Sequence, residues 1–169
     1  MKTLVFSIGI LLFVAVFQNR GIEFYPEEQA LKSVKSALKE KDVLLVEQLE
    51  VSSDVLKEEP MTIYCFEKAR GEKIYAVFAQ ACGRHDNFDY LMIADVNYSI
   101  EKVKVLKYRS EHGGEIASKR WLKQFENYSS GQLRYKKEIS ALSGATISAN
   151  ALVADIPKVL KILKESVEN

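Results

Sequence analysis

The chain has few of the residues that build metal centres and catalytic sets. Its 169 residues include two histidines and two cysteines, and neither His85 nor His112 has a Cys or His partner at a spacing typical of metal ligands. A Ser-His-Asp set, a recognisable pair of catalytic carboxylates and the glycine fingerprint of a dinucleotide-binding fold are also missing. The sequence therefore predicts no metal site and no catalytic residues.

Cysteine is too scarce, and too poorly placed, for a disulfide framework. A hairpin predicted over residues 61–82 would set Cys65 opposite about Ala76 and far from Cys82. We therefore expect both cysteines to be buried apolar residues with free thiols.

The chain also lacks a large excess of charge of either sign. Its formal net charge is +1, and no basic run is interleaved with aromatic residues, so we expect no nucleic-acid partner. The charges are nevertheless uneven, with five Lys against ten Asp and Glu in residues 21–60, and ten Lys and Arg against five Glu in residues 101–140. A basic half suits an anionic cofactor, although an ordinary solvated surface has the same composition.

One long apolar run is present, at the start of the chain. Residues 1–17 begin with a short positive segment, and the run is shorter than the roughly 20 residues that span a bilayer. We expect residues 1–20 to be a signal peptide or, because no clean cleavage site follows, an N-terminal membrane anchor. A buried helix is the alternative, but the run has no polar face. Export would place residues 21–169, a single domain, outside the cytoplasm.

Strand patterns occupy the middle of the chain. Four segments rich in Ile, Val, Tyr and Phe are separated by turn residues: 61–67, 73–82, 88–96 and 101–108. Short links between consecutive strands favour an antiparallel meander. We therefore predict an α+β fold, with a β-meander of about four strands packed with flanking helices.

Helical patterns flank these strands. Apolar residues at helical spacing follow Pro26, a second short amphipathic piece is expected over residues 43–49, and a short helix over residues 117–126. A closing helix is predicted from Ser148 onwards. Pro157 is expected to bend or restart it, with a cap from the aspartate two residues before.

The most informative motif directly precedes that closing helix. Residues 143–148 read Ser-Gly-Ala-Thr-Ile-Ser, in which Gly144 and Ala145 leave the backbone bare enough for a bulky ligand to approach. The free N–H groups and positive dipole end of the helix favour a phosphate, and Thr146 places a hydroxyl there. In the alternative interpretation, Ser143 is a helix N-cap and the small residues form a turn.

A second motif lies upstream. Residues 108–116 read Tyr-Arg-Ser-Glu-His-Gly-Gly-Glu-Ile, and residues 121–125 read Trp-Leu-Lys-Gln-Phe. Gly113 and Gly114 allow a backbone path closed to other residues and a close approach to a flat ring. Alone, this is also the pattern of a loop with a capping glutamate, Glu115.

Taken in order, these motifs resemble one branch of the FMN-binding domain family, known from small subunits of membrane redox complexes. The resemblance covers about residues 83–163 and implies that Thr146 carries FMN through a phosphoester bond. It further implies that residues 143–145 shape the phosphate pocket and that residues 113–115 lie beside the isoalloxazine or its ribityl chain. The cofactor-binding residues so implied are Thr146, Ser143, Gly144, Ala145, Ser148, Gly113, Gly114 and Glu115.

One position departs from the better-known members of that family. Ser140 stands where they have Asp, three residues before the serine of the motif, and Glu138 is expected to take its place. Ser148 offers a second hydroxyl close to Thr146. The departure concerns recognition by the modifying enzyme more than flavin binding.

The resemblance implies an extracytoplasmic electron carrier rather than a stand-alone enzyme. Its partners would be an FMN transferase that uses FAD, and a membrane redox protein that donates or accepts electrons. The residues leave two alternatives: a flavin-dependent extracytoplasmic reductase of a small acceptor, and a binding module that keeps the fold without flavin.

Overall fold

The computed structural model describes residues 25–52 and 61–168. The helices and strands in these ranges are α1 (Glu27–Leu38), β1 (Val43–Leu49), β2 (Met61–Lys68), β3 (Lys73–Cys82), β4 (Asn87–Asp95), β5 (Ile100–Lys107), α2 (Lys119–Leu122) and α3 (Thr146–Glu168). Short 3-10 helices at Gly114–Ala117 and Lys123–Phe125 flank α2. The expected helix over residues 117–126 is thus present as a broken series of short turns.

The strands form one antiparallel sheet in the order β1-β2-β3-β4-β5, so each strand pairs with its neighbour in sequence. The predicted α+β meander is confirmed, with five strands. The fifth is the edge strand β1, where a second amphipathic piece beside α1 was expected. Pairing with β2 makes this segment a strand. A bulge between Leu45 and Glu47 directs Leu45 and Leu49 to opposite faces of the sheet.

Both faces of the sheet are buried. Alternate residues of β3 show this, because Phe78 packs on the face covered by α1 and Val77 on the face covered by α3. α1 contributes Ala30 and Val34, which are fully buried. The molecule therefore has three layers, with α1 on one side of the sheet and α2, α3 and the 3-10 helices on the other.

The closing helix is unbroken. α3 runs from Thr146 to Glu168 with Pro157 inside it, so the predicted restart is wrong. The predicted cap, Asp155, is buried instead and accepts a hydrogen bond of 2.7 Å from Tyr90 Oη on β4. Burial of the apolar face of α3 against the sheet offsets the roughly 3 kcal/mol that a proline costs inside a helix.

The cysteines are free, and they differ in burial. Cys65 is buried on β2 and pairs with Tyr75, one residue from the predicted Ala76. Its burial raises the pKa of the thiol. Cys82 is exposed at the end of β3, beyond the part of the strand that the helices cover, so its predicted burial is wrong.

The expectation for residues 1–20 concerns a segment outside the described residues, and it stays a prediction. Among residues 25–52 and 61–168, none of the helices combines the length and apolar character required to cross a membrane.

Candidate functional site

The residue 143–148 motif forms the turn into α3 and its first residues. Gly144 has a φ of +82°, in the left-handed region, and Ala149 N donates to Ala145 O at 2.9 Å to close the first helical turn. Backbone N–H groups before that bond have no acceptor within the helix. Ser143 does not cap them, since its hydroxyl makes no hydrogen bond within the described ranges. The start of α3 therefore presents free donors and a positive dipole end.

The two hydroxyl residues of this helix start differ in accessibility. Thr146, the first residue of α3, is exposed, whereas Ser148 is 2% exposed. The Ser148 hydroxyl lies 3.1 Å from Tyr108 Oη, which itself donates to the carbonyl oxygen of His112 at 2.8 Å. Because the phenol has a single proton, Ser148 is the donor in this pair. Thr146 is therefore the hydroxyl that a reagent in solution can reach.

The two motifs predicted separately from the sequence meet in space. A Cβ built on Gly144 would lie 2.7–2.9 Å from the Glu115 carboxylate, too close for a real side chain. Gly113 has a φ of +92°, and a Cβ on it would lie 2.4 Å from Tyr108 Oη and 3.7 Å from the Gly144 carbonyl oxygen. Gly114 has open space around it. The positive φ at positions 113 and 144 thus favours glycine, and the close contact places Glu115 against the motif.

A third segment borders the same place. A Cβ on Gly83, which follows β3, would lie 2.4 Å from the Asp86 carbonyl oxygen and 3.6 Å from Ser148 Oγ. The turn after β3 thus packs closely against the first turn of α3.

A partly buried ion pair holds the residue 108–116 segment to the sheet. Asp89 on β4 is 1% exposed, and its carboxylate accepts bonds of 2.9 and 2.6 Å from the two terminal nitrogens of Arg109. Tyr25 Oη and Gln80 Nε2 donate to the same carboxylate at 3.2 and 2.8 Å. The sequence motif contains Arg109 but indicates no role for it, and it does not indicate Asp89 at all. The two residues are 20 positions apart in the chain, so no local pattern links them.

The segment that enters the motif is also anchored. Trp121 Nε1 donates to the Ser140 carbonyl oxygen at 2.8 Å, and Gln124 Oε1 accepts from Ser140 N at 2.9 Å. Two residues on, Leu142 N donates to Tyr135 Oη at 2.8 Å. These bonds hold the chain on the N-terminal side of the motif.

Glu138, the acidic residue nearest the motif on its N-terminal side, is engaged within its own turn. Its carboxylate accepts bonds of 3.0 Å from both the backbone N and the Nε of Arg134. Hydrogen bonding to the Arg134 guanidinium lowers the pKa of Glu138 to about 2.

The fold and this site together define a class: an α+β domain in which an exposed hydroxyl begins a long helix, close to a pair of glycines of which Gly114 has open space around it. Residues 83–161 match the model of the FMN-binding domain family. This part of the chain is therefore similar to an FMN-binding domain, and the match supports flavin binding by the protein. None of the curated proteins compared with the chain matches it.

The residues present fit this cofactor. The free N–H groups at the start of α3, beside the exposed Thr146, suit a phosphate, and the Glu115 carboxylate lies against Gly144. Gly114 is exposed with open space around it, so its backbone is accessible to a flat ring. In the described part of the chain, no three His, Cys, Asp or Glu side chains are placed to hold a metal ion.

Proposed function

We propose that the protein is an extracytoplasmic electron-transfer flavoprotein whose FMN is linked through a phosphoester to Thr146. The observation that carries this proposal is the exposed Thr146 hydroxyl at the start of α3, next to Gly144. When bound, FMN supplies reversible electron uptake, and the protein holds and orients it.

The electrostatics of the helix start support a phosphodiester. A diester keeps one negative charge, which the free N–H groups and dipole of a 23-residue helix stabilise. Ser148 is a poorer acceptor than Thr146, because its hydroxyl is buried and already bonded to Tyr108.

The modification requires a co-substrate and an enzyme. We propose that an FMN transferase supplies the FMN half of FAD. The Thr146 oxygen would form a bond to the flavin-side phosphorus as the pyrophosphate bond breaks, the hydroxyl proton would be lost, and AMP would leave. A covalent link suits a protein outside the cytoplasm, since a lost nucleotide could not be recaptured there. The apolar run of residues 1–17 supports that location.

The test is co-expression of the full-length chain with an FMN transferase. We expect the intact mass to rise by that of FMN less one water, and the denatured band to fluoresce on a gel. Thr146→Ala should abolish both signals, whereas Ser148→Ala should retain them. A fluorescent Thr146→Ala band would refute the assignment, and loss only in Ser148→Ala would move the attachment two residues along.

The same preparation separates a carrier from the alternatives. We expect the bound flavin to be reduced by dithionite and reoxidised reversibly, with no direct reduction by NADH. Direct reduction by NADH would favour a reductase of a small acceptor. A colourless protein after co-expression would favour a module without flavin.

A further inference from the structure

Exposed cations are concentrated on the two segments that lead into the motif. Residues 119–123 and 136–137 are joined through Ser140, which is bonded to both Trp121 and Gln124. The exposed cations on these segments, which we call the basic face, are Lys119, Arg120, Lys123, Lys136 and Lys137. The basic face lies in the same layer as α3, and eight residues of chain separate Lys137 from Thr146.

The carboxylates near the basic face are already neutralised, with one exception. Glu138 is paired with Arg134, and Glu126 with Lys102 on β5. The cations of the basic face have no acidic partner within 4.0 Å among residues 25–52 and 61–168. Glu115, beside Gly144, is the one acidic side chain of residues 114–142 without an ion pair in these ranges.

The turn that presents Lys136 and Lys137 is held firmly. Its backbone is closed by the bond from Lys136 N to Ile139 O at 2.7 Å, and Ile139 is buried. Lys136 adopts a φ of +64°, and its ammonium lies 6.0 Å from the ring centre of Tyr135. The backbone that carries the two cations is therefore held in place, which lowers the entropic cost of binding an anionic surface.

An exposed apolar side chain adjoins the attachment residue. Ile147 is 51% exposed, immediately after the exposed Thr146. An apolar contact bordered by charges is the usual composition of a protein docking surface, and weak redox encounters are steered by complementary charge.

We propose that the basic face docks an acidic redox protein that exchanges electrons with the flavin. This inference rests on the proposed function. A protein fits better than a lipid surface, because anionic headgroups would cover the flavin without offering a redox centre. In the exchange, one electron passes from the partner's reduced centre to the flavin, and any proton taken up comes from solvent.

Docking is tested first without flavin, on full-length Thr146→Ala protein. The probe is a plant-type ferredoxin, a small acidic protein with a [2Fe–2S] cluster. We expect its dissociation constant, measured by calorimetry, to rise at least about tenfold as ionic strength increases from about 0.01 M to about 0.1 M. Cytochrome c, a basic redox protein, should not bind measurably.

A matched pair of variants locates the surface. Lys123→Glu with Lys137→Glu should weaken ferredoxin binding about tenfold at low salt. Lys39→Glu with Lys41→Glu, which makes the same change in charge near α1 on the other side of the sheet, should change it less than about twofold. Circular dichroism checks that each variant is folded.

Flavinylated protein then links docking to electron transfer. Reduction of the flavin by reduced ferredoxin should slow in the Lys123→Glu/Lys137→Glu protein by the same factor as binding, while reduction by dithionite is unchanged. Equal effects of the two variant pairs, or a dissociation constant that does not change with ionic strength, would overturn the proposal. Tight binding to phosphatidylglycerol vesicles, weakened by the same pair, would assign the surface to a membrane instead. A protein that binds ferredoxin but never acquires flavin would refute the proposed function alone.

Discussion

Gly144 is the residue on which close approach of a ligand to the motif depends. Valine there would meet the Glu115 carboxylate at less than 3 Å and would hold a branched side chain at a φ of +82°. We expect Gly144→Val to block attachment of flavin while the domain stays folded, with a loss of stability of about 1–3 kcal/mol from backbone strain. Gel fluorescence and urea unfolding measure the two effects.

Gly71 provides the matched control. It also has a positive φ, +77°, but a Cβ there would meet nothing within 4 Å, and it lies in the hairpin turn between β2 and β3. Gly71→Val should lose similar stability and keep full flavin incorporation. Normal incorporation in Gly144→Val would show that close approach to this backbone is not required.

The glycines of the two motifs and Glu115 could be predicted together from the order of the motifs along the chain. The contacts that hold these residues in place could not be predicted. The bond of Ser148 to Tyr108 spans 40 residues, and the Asp89–Arg109 pair spans 20. In both pairs, the local sequence around each residue gives no sign of its partner. Only the sheet register brings Asp89 beside the end of β5, through its pairing with Lys107.

At the scale of elements, the Tyr108 hydroxyl connects the segment after β5 to the first turn of α3. Tyr108→Phe would remove the bonds to His112 and Ser148 and leave the buried Ser148 hydroxyl without a partner. We expect a loss of about 1–3 kcal/mol in the free energy of unfolding and slower flavin attachment at Thr146.

Tyr75→Phe is the control for that change, since the Tyr75 hydroxyl makes no hydrogen bond within residues 25–52 and 61–168. It should alter stability by less than about 0.5 kcal/mol and leave attachment unchanged. If both variants attached flavin at the wild-type rate, the link from Tyr108 to α3 would have no part in positioning the acceptor.

The residue 134–139 turn should respond to acid in a defined range. Because the pKa of Glu138 is lowered to about 2, its pairing with Arg134 stabilises the turn at pH values above the ordinary glutamate range. That contribution falls as the pH drops from about 4.5 and is lost near pH 2. Amide signals of Lys136 and Lys137 in NMR spectra should therefore shift in this range.

Glu138→Gln should remove that acid-induced shift, whereas Glu28→Gln, which breaks the exposed pair with Lys32 on α1, should leave it intact. An unchanged titration in Glu138→Gln would assign the shift to another group.

Elements were predictable where their periodicity was long and regular, as in β3, β4 and α3. β1 and the continuation of α3 through Pro157 were not, because both depend on partners distant in sequence. β1 is a strand only by pairing with β2, and the residues after Pro157 stay helical because Val159, Leu160 and Leu163 pack on the sheet. The free energy gained by burying these side chains outweighs the local tendency of Pro157 to break the helix.

At the scale of the whole molecule, the sheet separates two unlike sides. α1 lies on one side, and the motif, α3 and the basic face lie on the other. Asp89 joins them, since its carboxylate bonds both Arg109, in the segment after β5 that leads to the site, and Tyr25, just before α1. The α1 side is therefore part of the support for the site.

The contacts of Tyr25 determine how far the N-terminus can be shortened before the domain loses stability. Tyr25 is 5% exposed, its hydroxyl donates to Asp89, and its carbonyl oxygen accepts from Tyr64 Oη at 2.8 Å. A chain that starts at Gly21 keeps these contacts, so we expect it to be soluble, folded and retained in the cytoplasm, while the full-length chain is exported. Protease accessibility from outside the inner membrane compares the two.

A chain that starts at Glu27 is the sharper comparison, since it lacks Tyr25 but keeps all of α1. Losing a buried aromatic ring together with a partner of the Asp89 carboxylate should cost about 3–5 kcal/mol relative to the Gly21 start. Thermal unfolding of the two truncated chains measures this difference. Equal stability would show that Tyr25 does not support the Asp89–Arg109 anchor. If the full-length protein stayed in the cytoplasm and the chain starting at Gly21 precipitated, residues 1–17 would instead be part of the core. The protein would then not be exported, and the argument for a covalent carrier outside the cytoplasm would fail.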